Sequence, residues 1–259
     1  MLIGKKQILG LLVDLDGVLY VDQTPILGAI ETVQRWVQTA QPRCFLTNTT
    51  TQSPATLGNK LHRMGFSIAA REVLSSPEAA KLYLEKMGRP VCKLVLDDDV
   101  ITDFGDFPQS DADAKVVIMG DIGDAWSYDL LNNVFRLLMS GAELVALQRN
   151  KFWQTAAGLH LDIGAFVAGL EYATGKSAKV MGKPSPEFFT AALARLGMKP
   201  SDVAMIGDDI DNDILPAQRL GMTGILVKTG KYRETYARTS GVKPDLVIDS
   251  IADLATAFK

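Results

Sequence analysis

The sequence predicts an α/β protein built on a parallel sheet, and two observations carry that expectation. Short, continuously apolar runs alternate with helix-length amphipathic segments along the whole chain, the pattern of strand–helix–strand units. Several of the apolar runs stop abruptly at carboxylates or hydroxyls, as strands buried on both faces do where they meet solvent. A length of 259 residues leaves room for one large domain or two modest ones.

In chain order, Ile8–Val13 is the first apolar run and ends in Asp14-Leu15-Asp16-Gly17. Leu27–Ala40 follows as a helix with Ile30, Val33 and Val37 at helical spacing, then Cys44-Phe45-Leu46 as a second short strand. Ser53-Pro54 opens a helix bearing Leu57, Leu61 and Met64, stopped at Gly65, with serine as cap and proline in the first turn. Ser76-Pro77-Glu78 repeats that opening and Gly88 closes it. Leu94–Leu96, Val116–Met119 and Leu144–Leu147 are the strands of a middle series, with helices at Leu130–Met139 and Gly164–Thr174. A further helix opens at Ser185-Pro186-Glu187 and closes at Gly197. Val203–Ile206, Ile225–Val227 and Leu246–Ile248 complete the strands.

Composition narrows the function classes. Hydrophobic residues make up 47% and charged residues 22%, as in ordinary globular domains, and a net charge of -3 offers no basic surface to nucleic acid. Two cysteines, Cys44 and Cys92, form no disulfide framework, and neither they nor His62 and His160 have zinc spacing; the cysteines read as buried small residues. The run after Lys5 and Lys6 is too brief for a secretory signal, and no apolar stretch approaches a membrane span, so the expectation is a cytoplasmic protein without membrane partners.

The polar strand ends suggest a chemistry. Asp14 and Asp16 leave the first strand together, Thr47-Asn48-Thr49 leave the second, Gly207-Asp208-Asp209-Ile210-Asp211-Asn212-Asp213 leave a later one, and Lys183 stands just before a helix. Ligands of open α/β sheets bind at such ends. Clustered carboxylates repel and call for a cation, and an oxygen-only donor set suits Mg²⁺. Lys183 adds positive charge, while Thr47 and the amides around Asn48 add donors, together what a transferring phosphoryl group requires. Each piece alone is an ordinary turn or cap; the argument rests on their joint occurrence in order. Asp97-Asp98-Asp99, with Asp103 and Asp106, reads as a solvated acidic edge.

Taken together, Asp14-Leu15-Asp16-Gly17-Val18, Thr47, Lys183 and Gly207-Asp208 with Asp213 resemble the four motifs of the haloacid dehalogenase superfamily, phosphatase branch. The resemblance covers essentially the whole chain. It implies a Rossmann-like core of residues 1–76 and 179–259 and an inserted α/β cap of type IIA at 77–178. It implies a Mg²⁺-dependent hydrolase of small-molecule phosphate monoesters acting through an aspartyl-phosphate, or a pyrophosphatase or phospho-amino-acid phosphatase on the same site. Asp14 is then the nucleophile and Asp16 the acid/base, absent from the dehalogenase branch. Asp14, the Asp16 carbonyl and Asp208 hold Mg²⁺. Thr47, Asn48, Thr49 and Lys183 bind phosphate, and Asp209 and Asp213 orient Lys183 or metal waters. The partner implied is a small phosphorylated metabolite, with a homodimer formed through the cap.

One departure stands out. Where type IIA caps often carry Pro-Gly-x-Gly, this chain has Leu161-Asp162-Ile163-Gly164. Asp162 is either a carboxylate capping the next helix or a selector of substrates with a cationic or hydroxyl-rich end. A receiver domain also clusters aspartates with a threonine and a lysine, but it is about half this length and its phosphorylated aspartate lies apart from its acidic pair.

Overall fold

The computed structural model describes residues 1–4, 6–155 and 158–255. The chain divides into two compact units, one of Met1–Thr47, Pro54–Leu74 and Lys183–Lys259, the other of Asn48–Ser53 and Ser75–Gly182.

The first unit is organised around a six-stranded sheet in the order Leu246–Ile248, Thr223–Val227, Val203–Gly207, Gly10–Asp14, Arg43–Thr47, Val73–Ser75. Gly10–Asp14 is buried at every position, as its continuous apolar run requires of a strand covered on both faces. It pairs in parallel with Val203–Gly207 on one side (Leu12 opposite Met205) and with Arg43–Thr47 on the other (Leu12 opposite Cys44). The chain builds outward from Gly10–Asp14 in one direction, then returns to lay Val203–Gly207 on its other flank. The strand order reverses there, and the crevice at such a reversal is where sheets of this kind receive ligands.

Under the sheet, Leu11, Val13, Phe45, Ile206 and Ile225 pack with Val33, Trp36 and Leu61 of the helices. The helix Ala29–Gln38 buries Ala29, Thr32, Val33 and Trp36, whereas Val37 is exposed. The expected Ile30–Val33–Val37 stripe is therefore rotated, because the indole of Trp36 takes the core-facing position one residue earlier. Ser185 precedes the helix Pro186–Leu196, and Gly197 ends it in the left-handed conformation.

The second unit has a parallel sheet of its own, ordered Lys179–Val180, Glu143–Ala146, Val116–Met119, Cys92–Val95. Val117, Met119, Val134, Leu138, Ala146, Ile163 and Val167 form its core. Its helix Tyr128–Met139 begins two residues before the expected start, because the Ser127 hydroxyl accepts the Leu130 amide. The helix Ser76–Lys86 is likewise capped by Ser75, which accepts the Glu78 amide, and not by Ser76. An antiparallel hairpin, Phe152–Thr155 with Gly158–Leu161, was not expected from the sequence. Asp99 is no free solvated edge: its carboxylate accepts the Ser53 amide (2.7 Å) and hydroxyl (3.2 Å). Cys44 and Cys92 are buried and neither is in a disulfide, and no helix of the described residues is long and apolar enough to cross a membrane.

Candidate active site

Asp14 is the last residue of the central strand and is buried. Its Oδ1 accepts the Leu15 amide at 2.8 Å and lies 2.7 Å from the Lys183 ammonium. Three residues on, Gly17 turns the chain at φ 83° and donates its amide to the Tyr20 carbonyl. A side chain at Gly17 would place its Cβ 1.9 Å from Asp208 Oδ2, so the nucleophile loop requires glycine there. Asp16 stands open to solvent at the bend. Its carboxyl is held above the usual aspartate range by the protein crowding around it first and by the Asp14 charge next, opposed by Lys231 and then Lys60.

Lys183 is buried between two carboxylates, 2.7 Å from Asp14 Oδ1 and 2.7 Å from Asp213 Oδ1. Burial works against its charge, but Asp14 and then Asp213 outweigh it and keep the ammonium protonated. Asp213 reaches Lys183 from a short π-helical turn, Ile210–Ile214, and its Oδ2 accepts the Asp209 amide at 3.2 Å. The Asp209 carboxylate is engaged in the same turn, accepting the Asp211 and Asn212 amides and the Asn212 side chain. Asp213 thus meets Lys183 directly, and Asp209 shapes the turn that presents it. Thr47, also buried, ends the strand beside Asp14, one residue past Leu46, which pairs with Asp14 in register.

Asp208 follows the strand Val203–Gly207 across the topological switch. Asp14, Asp208 and Asp213 each offer a carboxylate oxygen, all within 4.8 Å of one another. Asp208 Oδ2 accepts the Lys231 amide at 2.6 Å, but its buried Oδ1 has no hydrogen-bond partner. Burial first, and the Asp14 charge next, push the Asp208 carboxyl up to about 7. An orphaned, negatively crowded carboxylate oxygen among oxygen donors fits a hard divalent cation. Asp213 is the poorest ligand of the three, since Lys183 and the Asp209 amide already occupy both of its oxygens.

A second cation borders this cluster. Thr229 donates its hydroxyl to the Gly17 carbonyl at 2.5 Å, and Gly230 packs so closely that a Cβ there would fall 2.4 Å from Gly17 Cα. Lys231 is next in the chain. It lines an open recess of about 190 Å³ with Asp208, Asp209, Arg233 and Tyr236.

Residues 11–123 match the haloacid dehalogenase-like hydrolase family and residues 180–254 a HAD-hydrolase-like family. Haloacid dehalogenase-like hydrolase domain-containing protein 2 of Pongo abelii is 40% identical over 240 residues, 92% of this chain and 91% of that protein. The chain is a haloacid dehalogenase-like hydrolase. Phospholysine phosphohistidine inorganic pyrophosphate phosphatase of Homo sapiens is 38% identical over 251 residues, 94% of this chain and 92% of that one. Among solved structures, the p-nitrophenyl phosphatase from Archaeoglobus fulgidus aligns with a TM-score of 0.90 and 25% identity, over 97% of this chain and 99% of that one.

In this hydrolase the remaining expected residues belong to the second unit. Asn48 and Thr49 are half-buried at its start, and Asn48 Oδ1 accepts the Ser76 hydroxyl at 3.5 Å. Asp162 is buried; its Oδ1 accepts the Gln148 side chain at 2.6 Å and the Ile163 amide at 2.7 Å. Gln148 in turn accepts the Asn150 amide, and Asn150 accepts the Gly164 amide. Asp162 therefore ties the end of one strand to the start of the helix Gly164–Thr174. Desolvation holds its carboxyl above the usual range against those donors. Lys231 was missed as a site residue. Its signal in the sequence is Thr229-Gly230-Lys231 after a buried strand, a polar strand end like those at Asp14 and Thr47.

Proposed function

We propose that this protein hydrolyses small-molecule phosphate monoesters with Mg²⁺, through an aspartyl-phosphate on Asp14. The observation that carries the reading is the buried Asp14–Lys183–Asp213 array beside the unpartnered Oδ1 of Asp208, at the switch of a parallel sheet. Asp14, Asp208 and the Asp16 carbonyl are the residues that would hold Mg²⁺, which when bound screens phosphoryl and carboxylate charge.

The chain's own groups divide the work. Lys183 and the Leu15 amide hold Asp14 Oδ1, which leaves Oδ2 to attack phosphorus. As the bond to the leaving oxygen breaks, Asp16 donates its proton there; burial and then the Asp14 charge raise its carboxyl above the usual aspartate range, which favours the protonated form a donor needs. Asp16 then takes a proton from the water that cleaves the acyl phosphate and restores the Asp14 carboxylate. Thr47, Asn48 and Thr49 are the phosphate-oxygen donors in this reading, with the Lys183 ammonium. Hydrolysis of pyrophosphate or phospho-amino acids is the second reading, supported by the name of the 38% identical human relative. The two buried thiols are consistent with a reducing, cytoplasmic setting. For assembly, a dimer through the second unit is supported by its exposed Phe152–Leu161 pair.

The test is phosphate release from p-nitrophenyl phosphate. The purified protein should turn it over with Mg²⁺ and lose that activity in excess chelator. Turnover unaffected by chelation would reject the metal-dependent reading.

A further inference from the structure

Two lysines approach the aspartate cluster, and they are held in opposite ways. Lys183 is buried and fixed between Asp14 and Asp213. Lys231 is open to solvent, and its ammonium is within ion-pairing distance of no carboxylate among the described residues. The protein crowding around it works first against its charge, but Asp14 and then Asp208 outweigh that and raise it, and it is the foremost cation acting on Asp16. Lys60, the other cation near Asp16, sits over the Tyr20 ring, 4.5 Å from its centroid.

The loop that presents Lys231 is held in place. Thr229 is bonded to the Gly17 carbonyl, Gly230 is packed against Gly17, and the Lys231 amide is bonded to Asp208 Oδ2. Its backbone is therefore fixed to both the nucleophile loop and a candidate metal ligand, while its ammonium projects unpaired. The loop thus brings an ammonium not engaged by protein beside Gly17, the residue next to the Asp16 that would protonate a leaving group. An alcohol leaving group gives that ammonium nothing to bind. A leaving group with its own negative charge does.

We infer that Lys231 is a specificity-determining residue that recognises a second anionic group on the leaving group, so that the preferred substrates are phosphoanhydrides and phosphate esters carrying a second negative charge beside the scissile bond. This rests on the phosphatase reading above and extends it. Lys183 serves the transferred phosphoryl group; Lys231 serves what leaves.

The experiment compares the full-length wild type with Lys231→Ala and Lys231→Arg, at saturating Mg²⁺, on inorganic pyrophosphate and p-nitrophenyl phosphate. Lys231→Ala should lower kcat/KM for pyrophosphate at least about tenfold more than for p-nitrophenyl phosphate, with most of the difference in KM. Lys231→Arg should recover most of the pyrophosphate rate, since it restores the charge. An equal loss on both substrates, or no pyrophosphate turnover by wild type, overturns the inference. Absence of p-nitrophenyl phosphate turnover by wild type would instead overturn the underlying reading, so the two failures are distinguishable.

Discussion

The two units use one architecture to opposite ends. Each has a parallel sheet with carboxylates just past its strand ends. In the second unit those carboxylates are engaged by nearby donors: Asp97 accepts the Asp99 amide, Asp99 the Ser53 amide and hydroxyl, and Asp121 the Gly123 amide, while past the hairpin Asp162 accepts the Gln148 side chain and the Ile163 amide. In the first unit the acids converge, and Asp208 keeps a buried oxygen with no partner. A carboxylate at a strand end is thus structural when its lone pairs are filled by the backbone. It becomes chemical when several acids converge within reach of one cation, as Asp14, Asp208 and Asp213 do, and one of them keeps an oxygen unfilled.

The sharpest way to break the comparison is at Asp14. Asp14→Asn should lower kcat by on the order of 10³-fold or more while leaving the circular dichroism spectrum intact, because an amide is no nucleophile here. Near-wild-type turnover would place the chemistry elsewhere. Next in size is the unfilled oxygen. Asp208→Asn should weaken Mg²⁺ binding by about 10²-fold in calorimetric titration, whereas Asp99→Asn in the second unit should leave it unchanged. Equal effects would erase the distinction between the units.

Stability separates them more gently. Asp162→Ala leaves the Gln148 side chain and the Ile163 amide without their acceptor, which costs about 1–3 kcal/mol in urea unfolding. The ranking of a phosphate-ester panel should not change with it; a changed ranking would make Asp162 a selector of substrates. The smallest effect concerns a first-unit acid that behaves like those of the second. Burial alone would raise the Asp245 carboxyl, but Gln218, the Gly224 amide and Lys6 together hold it below 3.8. A depressed carboxyl stabilises the fold above its unfolded pKa and loses that contribution as pH falls through its folded value. Wild type should therefore exceed Asp245→Asn in stability at neutral pH, and the difference should shrink as the pH drops below 3.8.

Much of this was legible because strand burial and chemistry share a boundary. A continuous apolar run that ends in Asp14 announces both a central strand and the place where it meets ligand. The roles within Gly207–Asp213 were less legible, because five polar positions in seven can be sorted only by the π-helical turn that aims Asp213 at Lys183. The hairpin Phe152–Leu161 escaped notice since Ala156-Ala157, between its strands, carries none of the usual turn residues. Lys231 escaped for a tertiary reason: nothing local in Thr229-Gly230-Lys231 states that it folds against Gly17.

That contact has a consequence for how the protein comes into being. Thr229 and Gly17 are joined across 212 positions of chain. A ribosome adding about 5–20 residues per second spans that interval in roughly 10–40 s. For most of that wait the first strand has no Val203–Gly207 beside it, and its exposed edge is an open template for mispairing. Nascent chains arrested before Gly230 should therefore be inactive and should recruit holding chaperones, until the tail of the polypeptide closes what its head began.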